Sequence, residues 1–173
     1  MNQQRNMDRV IYDGFLKIGT SNYEGNDFVI VNSRDAVAIL YLDESDQIYL
    51  VREFRPAQNE KIISLPAGIM DKPNENPLER VVGELKEECG IRIDKNIVDY
   101  IGPIYSSPGH DTERVHLFEA KGRNEFVGQN LDEGEEIEVL RMPFREAFEK
   151  IGTEIFDAKT CYLLTREAYK RSN

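Results

Sequence analysis

Residues 76–91, "NPLERVVGELKEECGI", read as a helix with both ends marked, and this constrains the fold more than any other stretch. Asn76 stands at an N-cap position, Pro77 suits the first turn, Glu79 occupies the capping-box position, and Gly90 supplies the C-terminal stop. Val81, Val82, Leu85 and Cys89 form one apolar stripe, so the helix has to lie against an apolar surface. Its flanks are strand-like. "DRVIYDGFLKIG" and "NDFVIVNSRDAVAILYL" are rich in β-branched and aromatic residues, are punctuated by Gly14, Gly19 and Gly25, and read as strands. "QIYLVREF" follows Asp43 to Asp46 as an antiparallel return, and "KIISLPAG" runs apolar until Pro66 and Gly68 end it. Further on, "NIVDYIGPIYSS", "ERVHLFEAKG" and "EEIEVLRMP" read as strands, and "FREAFEKIG" and "AKTCYLLTREAYKRS" as helices, the second capped by Asp157. A chain of 173 residues fills one core. The expectation is an α/β domain of layered type over 34–173, preceded by an N-terminal strand extension over 1–33.

Charge and cysteine content narrow the function. With 22 basic against 32 acidic side chains the net charge is −10, the wrong sign for holding nucleic acid by its phosphates. A polyanionic ligand therefore requires metal cations. Cys89 and Cys161 are far apart and belong to no CxxC or Cys/His cluster, so neither a disulfide framework nor a zinc site is indicated. The start of the chain lacks the apolar run of a signal peptide, and no later segment is long and apolar enough for a membrane span. A cytoplasmic protein without membrane or nucleic-acid partners is the expectation.

The acidic residues of the helix pose the functional question, because like charges a turn apart destabilise it. At about 100° per residue, Glu88 lies about 40° to one side of Glu84 and Glu87 about 60° to the other. The three carboxylates share a face. They form either a solvated acidic surface or a set of hard oxygen ligands for Mg²⁺ or Mn²⁺, and glycine-bearing loops on both sides suit the second.

"GELKEECGI" resembles the end of the Nudix box, G-x5-E-x7-R-E-U-x-E-E-x-G-U with U apolar. Glu84, Leu85, Glu87, Glu88, Gly90 and Ile91 fall on the pattern, and Glu75 on its upstream glutamate. Two positions depart from it: the loop after Gly68 carries one extra residue, and Gly83 stands where the family has arginine. Arg80, one turn earlier, lies about 40° from Glu84 and about 20° from Glu87 on the wheel, so it is either a displaced substitute or an ordinary surface partner of Glu84. "LVREFRPAQNEKIISLPAG", "SSPGHDTERVHLF" and "DEGEEIEVLRMP" resemble segments of the ADP-ribose pyrophosphatase branch, and the likeness covers about two thirds of the chain.

The resemblance implies an α/β/α sandwich with a mixed sheet, an N-terminal dimerising extension, and a homodimer. It implies Mg²⁺-dependent hydrolysis of the diphosphate of a nucleoside diphosphate sugar, ADP-ribose preferred. A GDP or UDP sugar is the alternative substrate, and a non-catalytic nucleotide binder the alternative class. Glu84, Glu87 and Glu88 would hold the cation with the carbonyl of Ala67, made available by a sharp turn at Gly68. Glu113 matches the glutamate that activates or positions water, and Arg55 matches a phosphate-binding arginine, with Arg52 a second candidate. His110 reads as an alternative base, a substrate contact or a solvent-facing residue. The run Asp132 to Glu136 is either a further cation site or an exposed acidic turn, and Tyr12, Phe15 and Phe28 either stack a nucleobase or pack.

Overall fold

In the computed structural model, which describes residues 7–72 and 74–173, strands β1 (Arg9–Asp13), β2 (Lys17–Tyr23) and β3 (Asn26–Asn32) form an antiparallel sheet in that order. β4 (Ala36–Leu42), β5 (Gln47–Arg55), β6 (Glu60–Ser64) and β7 (Ala67–Ile69) lead into helix α1 (Pro77–Cys89). β8 (Ile91–Arg92), β9 (Val98–Tyr105), β10 (Arg114–Lys121), β11 (Glu125–Phe126) and β12 (Ile137–Pro143) follow, and α2 (Phe144–Glu149) and α3 (Ala158–Ser172) close the chain.

β4 organises the larger sheet. Its seven residues, "AVAILYL", are all buried, as expected of a strand covered on both faces. One edge runs parallel to β10 from Ala36 opposite Val115 to Leu42 opposite Lys121. The other edge is divided: β7 pairs with Ala36 to Ala38, and β5 touches it through Leu42 and Ile48. β4 and β5 thus diverge from one end, and β6 and β7 occupy the wedge between them. Alternation along the strands sorts the core into two layers. Ala38, Leu40, Ile48 and Leu50 face Phe144 and Ala147 of α2 and Leu163 and Leu164 of α3. Val37, Ile39, Tyr41 and Val51 face Val81, Leu85 and Cys89 of α1. The result is the expected α/β/α sandwich with a mixed sheet. Among the described residues no helix is long and apolar enough to cross a membrane.

Two local expectations change and one gains detail. The strands read in "DRVIYDGFLKIG" form a hairpin: the chain reverses at Gly14, whose N–H donates to the Leu16 carbonyl at 3.1 Å, and Asp13 faces Lys17. "QIYLVREF" does return antiparallel, but its ladder partners are β12 and β6, because the wedge keeps it from β4. Glu79 does not close a capping box. Its carboxylate accepts from Lys95 Nζ at 2.7 Å, while Asn76 alone caps α1 by accepting from Leu78 N at 3.0 Å.

β3 is tied to the loop before β10. Val31 N donates to the His110 carbonyl at 2.7 Å, Thr112 N donates to the Val31 carbonyl at 3.0 Å, and Ser33 Oγ donates to Asp111 Oδ2 at 3.1 Å. The smaller sheet is therefore anchored on the loop that carries Glu113.

Candidate active site

A cleft of about 710 Å³ opens where β4 and β5 part, a volume suited to a small-molecule ligand. Its floor is β7 and the outer row of α1. Val81, Leu85 and Cys89 bury completely against the sheet, and Glu84 and Glu88 occupy the adjacent row, so the packing that seats the helix also draws these carboxylates in. They are 5% and 7% exposed, which removes the solvated reading for this pair. Glu87, farther round the helix, keeps a side chain 45% exposed.

The backbone of β7 completes the floor. Ile39 N donates to the Pro66 carbonyl, so antiparallel alternation turns the N–H and carbonyl of Ala67 away from β4 and toward α1. The Ala67 N–H donates to Glu88 Oε2 at 3.0 Å. Gly68 lies within β7 and has no left-handed φ, so the sharp turn inferred from sequence is not why glycine stands there. Close approach is: the Glu84 carboxylate lies directly against its α-carbon.

Burial dominates the electrostatics. It pushes the Glu84 carboxyl up to about 7, opposed by Arg80 and reinforced by Glu87, Glu135 and Asp132. Glu88 is pushed up to about 8 by burial and then by Glu84, while the Ala67 N–H pulls it down. One guanidinium does not offset the desolvation of two carboxylates. A divalent cation would, and the donors are all hard oxygens, so the residues fit Mg²⁺ or Mn²⁺ in chemistry. The arrangement is not ready-made, because among the described residues no three acidic, histidine or cysteine side chains already surround one point. Glu84 Oε1 is drawn to Arg80 and Glu88 Oε2 to the Ala67 N–H.

Other elements bring further groups to the same cleft. Glu113, at the foot of β10, lines it and accepts a hydrogen bond from Ser106 Oγ. Arg55 lines it from β5, paired with Glu53 at 2.8 Å. Asp132 and Glu135 of the acidic run reach it because the preceding segment is fastened to α1: Gln129 Nε2 donates to the Glu88 carbonyl at 2.7 Å and Asn130 N to the Glu87 carbonyl at 3.0 Å. Phe15 lies at the rim, 64% exposed, with the Arg34 guanidinium 5.4 Å from its ring centroid. Tyr12 and Phe28 are not among the described residues lining the cleft.

Arg52 and His110 are not brought there either. Arg52 alternates with Glu53 and Arg55 and so faces the α2 side of the sheet, where it pairs with Glu138 at 3.1 Å. The His110 ring lies 3.3 Å from Ser107 Oγ within its own exposed loop, and its carbonyl is the group that meets β3. Arg34, Glu53, Ser106 and Lys159 line the cleft without having been singled out in the sequence. Strand parity with Arg55 was a readable signal for Glu53. Lys159, 2.7 Å from Asp157 at the start of α3, arrives by helix docking that no local pattern encodes.

The NUDIX domain family pattern matches residues 32–164. The chain is 34% identical over 137 residues to the ADP-ribose pyrophosphatase of Bacillus subtilis (strain 168), covering 78% of this chain and 72% of that protein. It is 38% identical over 141 residues to the GDP-mannose pyrophosphatase of Cronobacter sakazakii (strain ATCC BAA-894), covering 75% and 70%. A solved structure described as an ADP compounds hydrolase superposes with a TM-score of 0.74 at 20% identity, over 98% of this chain and 94% of that one, a likeness of fold. With its acidic helix, its cleft and the family pattern spanning most of its length, this chain belongs to the Nudix family and is a Nudix hydrolase.

Proposed function

We propose that the protein hydrolyses the diphosphate bond of a nucleoside diphosphate sugar with Mg²⁺, or Mn²⁺ in its place, and that ADP-ribose is preferred, giving AMP and ribose 5-phosphate. The observation that carries this reading is the convergence of Glu84, Glu87 and Glu88, the Ala67 backbone, Glu113 and Arg55 on one cleft from three elements and the loop before β10. Relatives named for ADP-ribose and GDP-mannose pyrophosphatase activity support the substrate class.

Glu84, Glu88 and Glu87, with the Ala67 carbonyl, would hold the cation. Bound there, it would act as a Lewis acid on the diphosphate oxygens, offsetting their charge and making phosphorus more open to attack. Arg55 offers a planar fork to the same diphosphate, for which it leaves Glu53. Glu113 orients a water molecule and accepts its proton as the water oxygen bonds to phosphorus. The bond from that phosphorus to the bridging oxygen breaks, and the bridging oxygen leaves on the second phosphate. Phe15, braced by Arg34, presents a flat face to a nucleobase at the rim.

A GDP sugar is the second reading, favoured by the 38% identity to a GDP-mannose pyrophosphatase; a UDP sugar belongs to the same class. Incubation with ADP-ribose, GDP-mannose, a UDP sugar and nucleoside triphosphates, with and without Mg²⁺, followed by product identification, decides among them. Release of AMP and ribose 5-phosphate at the highest kcat/KM upholds the first reading. Preferential release of GMP selects the second.

The remaining part of the reading is a cytoplasmic homodimer assembled through the sheet of β1, β2 and β3, where Val10, Ile11, Tyr12, Phe28 and Val29 are exposed. Sedimentation of the full chain at monomer mass would refute the dimer.

A further inference from the structure

α1 carries a glycine at its centre, in the row of its acidic residues, and the space around it is open. A β-carbon at Gly83 would meet a single atom outside its own turn within 4 Å, Glu87 Oε1 at 3.9 Å. Packing therefore does not demand glycine there, and a long side chain at 83 would project beside Glu87. Three residues earlier, Arg80 does what a surface arginine does not. Its side chain is only 22% exposed, and it lies along the helix toward the cleft instead of extending into water. Its guanidinium closes on Glu84 Oε1, and its Nη1 stands 3.9 Å from Glu87 Oε2. Its Nε is buried and has no hydrogen-bond partner, so one donor of the fork is held in the interior without an acceptor. An arginine placed for its own solvation would not leave that donor unmet.

The carboxylates explain the placement. Glu84 and Glu88 are buried side by side, and Glu84 also feels Glu87, Glu135 and Asp132. Among the described residues, Arg80 is the cation that pairs with both Glu84 and Glu87. A planar fork spanning two carboxylates fixes their orientation as well as their charge, which a flexible ammonium does less well. With one oxygen of Glu84 against Arg80 and Gly68, the other is left for a cation in the cleft.

We infer that Arg80 is a positioning residue of the metal site, holding Glu84 and Glu87 from the preceding helical turn in place of a cation at position 83. The inference rests on the assignment of the cation to Glu84 and Glu88. In this role Arg80 acts through the carboxylates it holds, not on the substrate or the reacting phosphorus.

The test uses the full chain and four variants: Arg80→Ala, Arg80→Met, Arg80→Ala/Gly83→Arg, and Glu88→Gln. Two quantities are read: the Mg²⁺ concentration giving half of the Mg²⁺-induced rise in melting temperature without substrate, and kcat and KM for ADP-ribose. Arg80→Ala is expected to raise that Mg²⁺ concentration about tenfold and to lower kcat about tenfold, with KM within about threefold. Arg80→Met, which keeps the alkyl stem packed, is expected to behave as Arg80→Ala and provides the reading if the alanine variant does not fold. The double variant is expected to recover both quantities to within about threefold of the parent. Two results overturn the inference alone: Arg80→Met matching the parent while Glu88→Gln loses the Mg²⁺ response, or the double variant doing no better than Arg80→Ala. If Glu88→Gln keeps the full Mg²⁺ response, the cation lies elsewhere and both assignments fall.

Discussion

A β-carbon on Gly68 would stand 1.6 Å from Glu84 Oε1, so the strand leading out of the sheet and the middle of α1 share a space that only hydrogen fits. Gly68→Ala must push the Glu84 carboxylate off its seat or move β7. Overpacking of this kind costs about 1–3 kcal/mol. Thermal melts with and without Mg²⁺ should show lower stability and a weakened Mg²⁺ response together. A stable variant with the parent's Mg²⁺ response would refute the shared-space account.

The buried pair predicts a pH dependence with a definite sign. Glu84 and Glu88 are raised from 4.5 to about 7 and about 8, so the fold retains protons that the unfolded chain has released. Their contribution is fully present below about pH 4.5 and is lost as pH rises through about 7 to 8. Without metal, the melting temperature should therefore fall across that window, and Glu88→Gln should flatten the fall. Mg²⁺ should stabilise more at the alkaline end, where it does not compete with protons. Asp46, held at about 2 by Arg171, titrates below this range. A metal-free profile that rises between about pH 5 and 8 in the parent would contradict the burial of the pair.

Thr160 is fully buried and links α3 to the segment just before the site. Its Oγ1 accepts from Leu65 N at 2.9 Å and donates to Asp157 Oδ2 at 2.5 Å. Thr160→Val keeps the shape and leaves the Leu65 N–H unmet, a loss of about 1–3 kcal/mol. Urea denaturation should give a lower midpoint with an unchanged slope.

Strand parity separates two arginines that look equivalent in sequence. Arg55→Ala should raise KM for the nucleotide sugar about tenfold, the scale of a lost charged hydrogen bond. Arg52→Ala, on the opposite face with Glu138, should leave KM within about twofold. Steady-state kinetics on the two variants check this, and equal losses would place both side chains on the substrate.

What the sequence settled by itself was local. Asn76, Pro77 and Gly90 bound α1 because capping is a matter of a few adjacent backbone groups, and the stripe of Val81, Leu85 and Cys89 follows from helical period alone. The same period put Glu84, Glu87 and Glu88 on one face. It did not say whether that face was wet. That was decided by how α1 seats on Val37, Ile39 and Val51, which buries Glu84 and Glu88 and leaves Glu87 half out. Tertiary structure alone also decided that β5 pairs with β12 and β6, that Arg52 and His110 stand outside the cleft, and that Lys159 and Arg34 stand at it. It decided too that Gly68 is needed for proximity to Glu84 and not for a turn. The reason is the same in each case: caps and periodicity depend on neighbours within a turn, whereas burial and convergence depend on contacts between segments tens of residues apart, which no local pattern specifies.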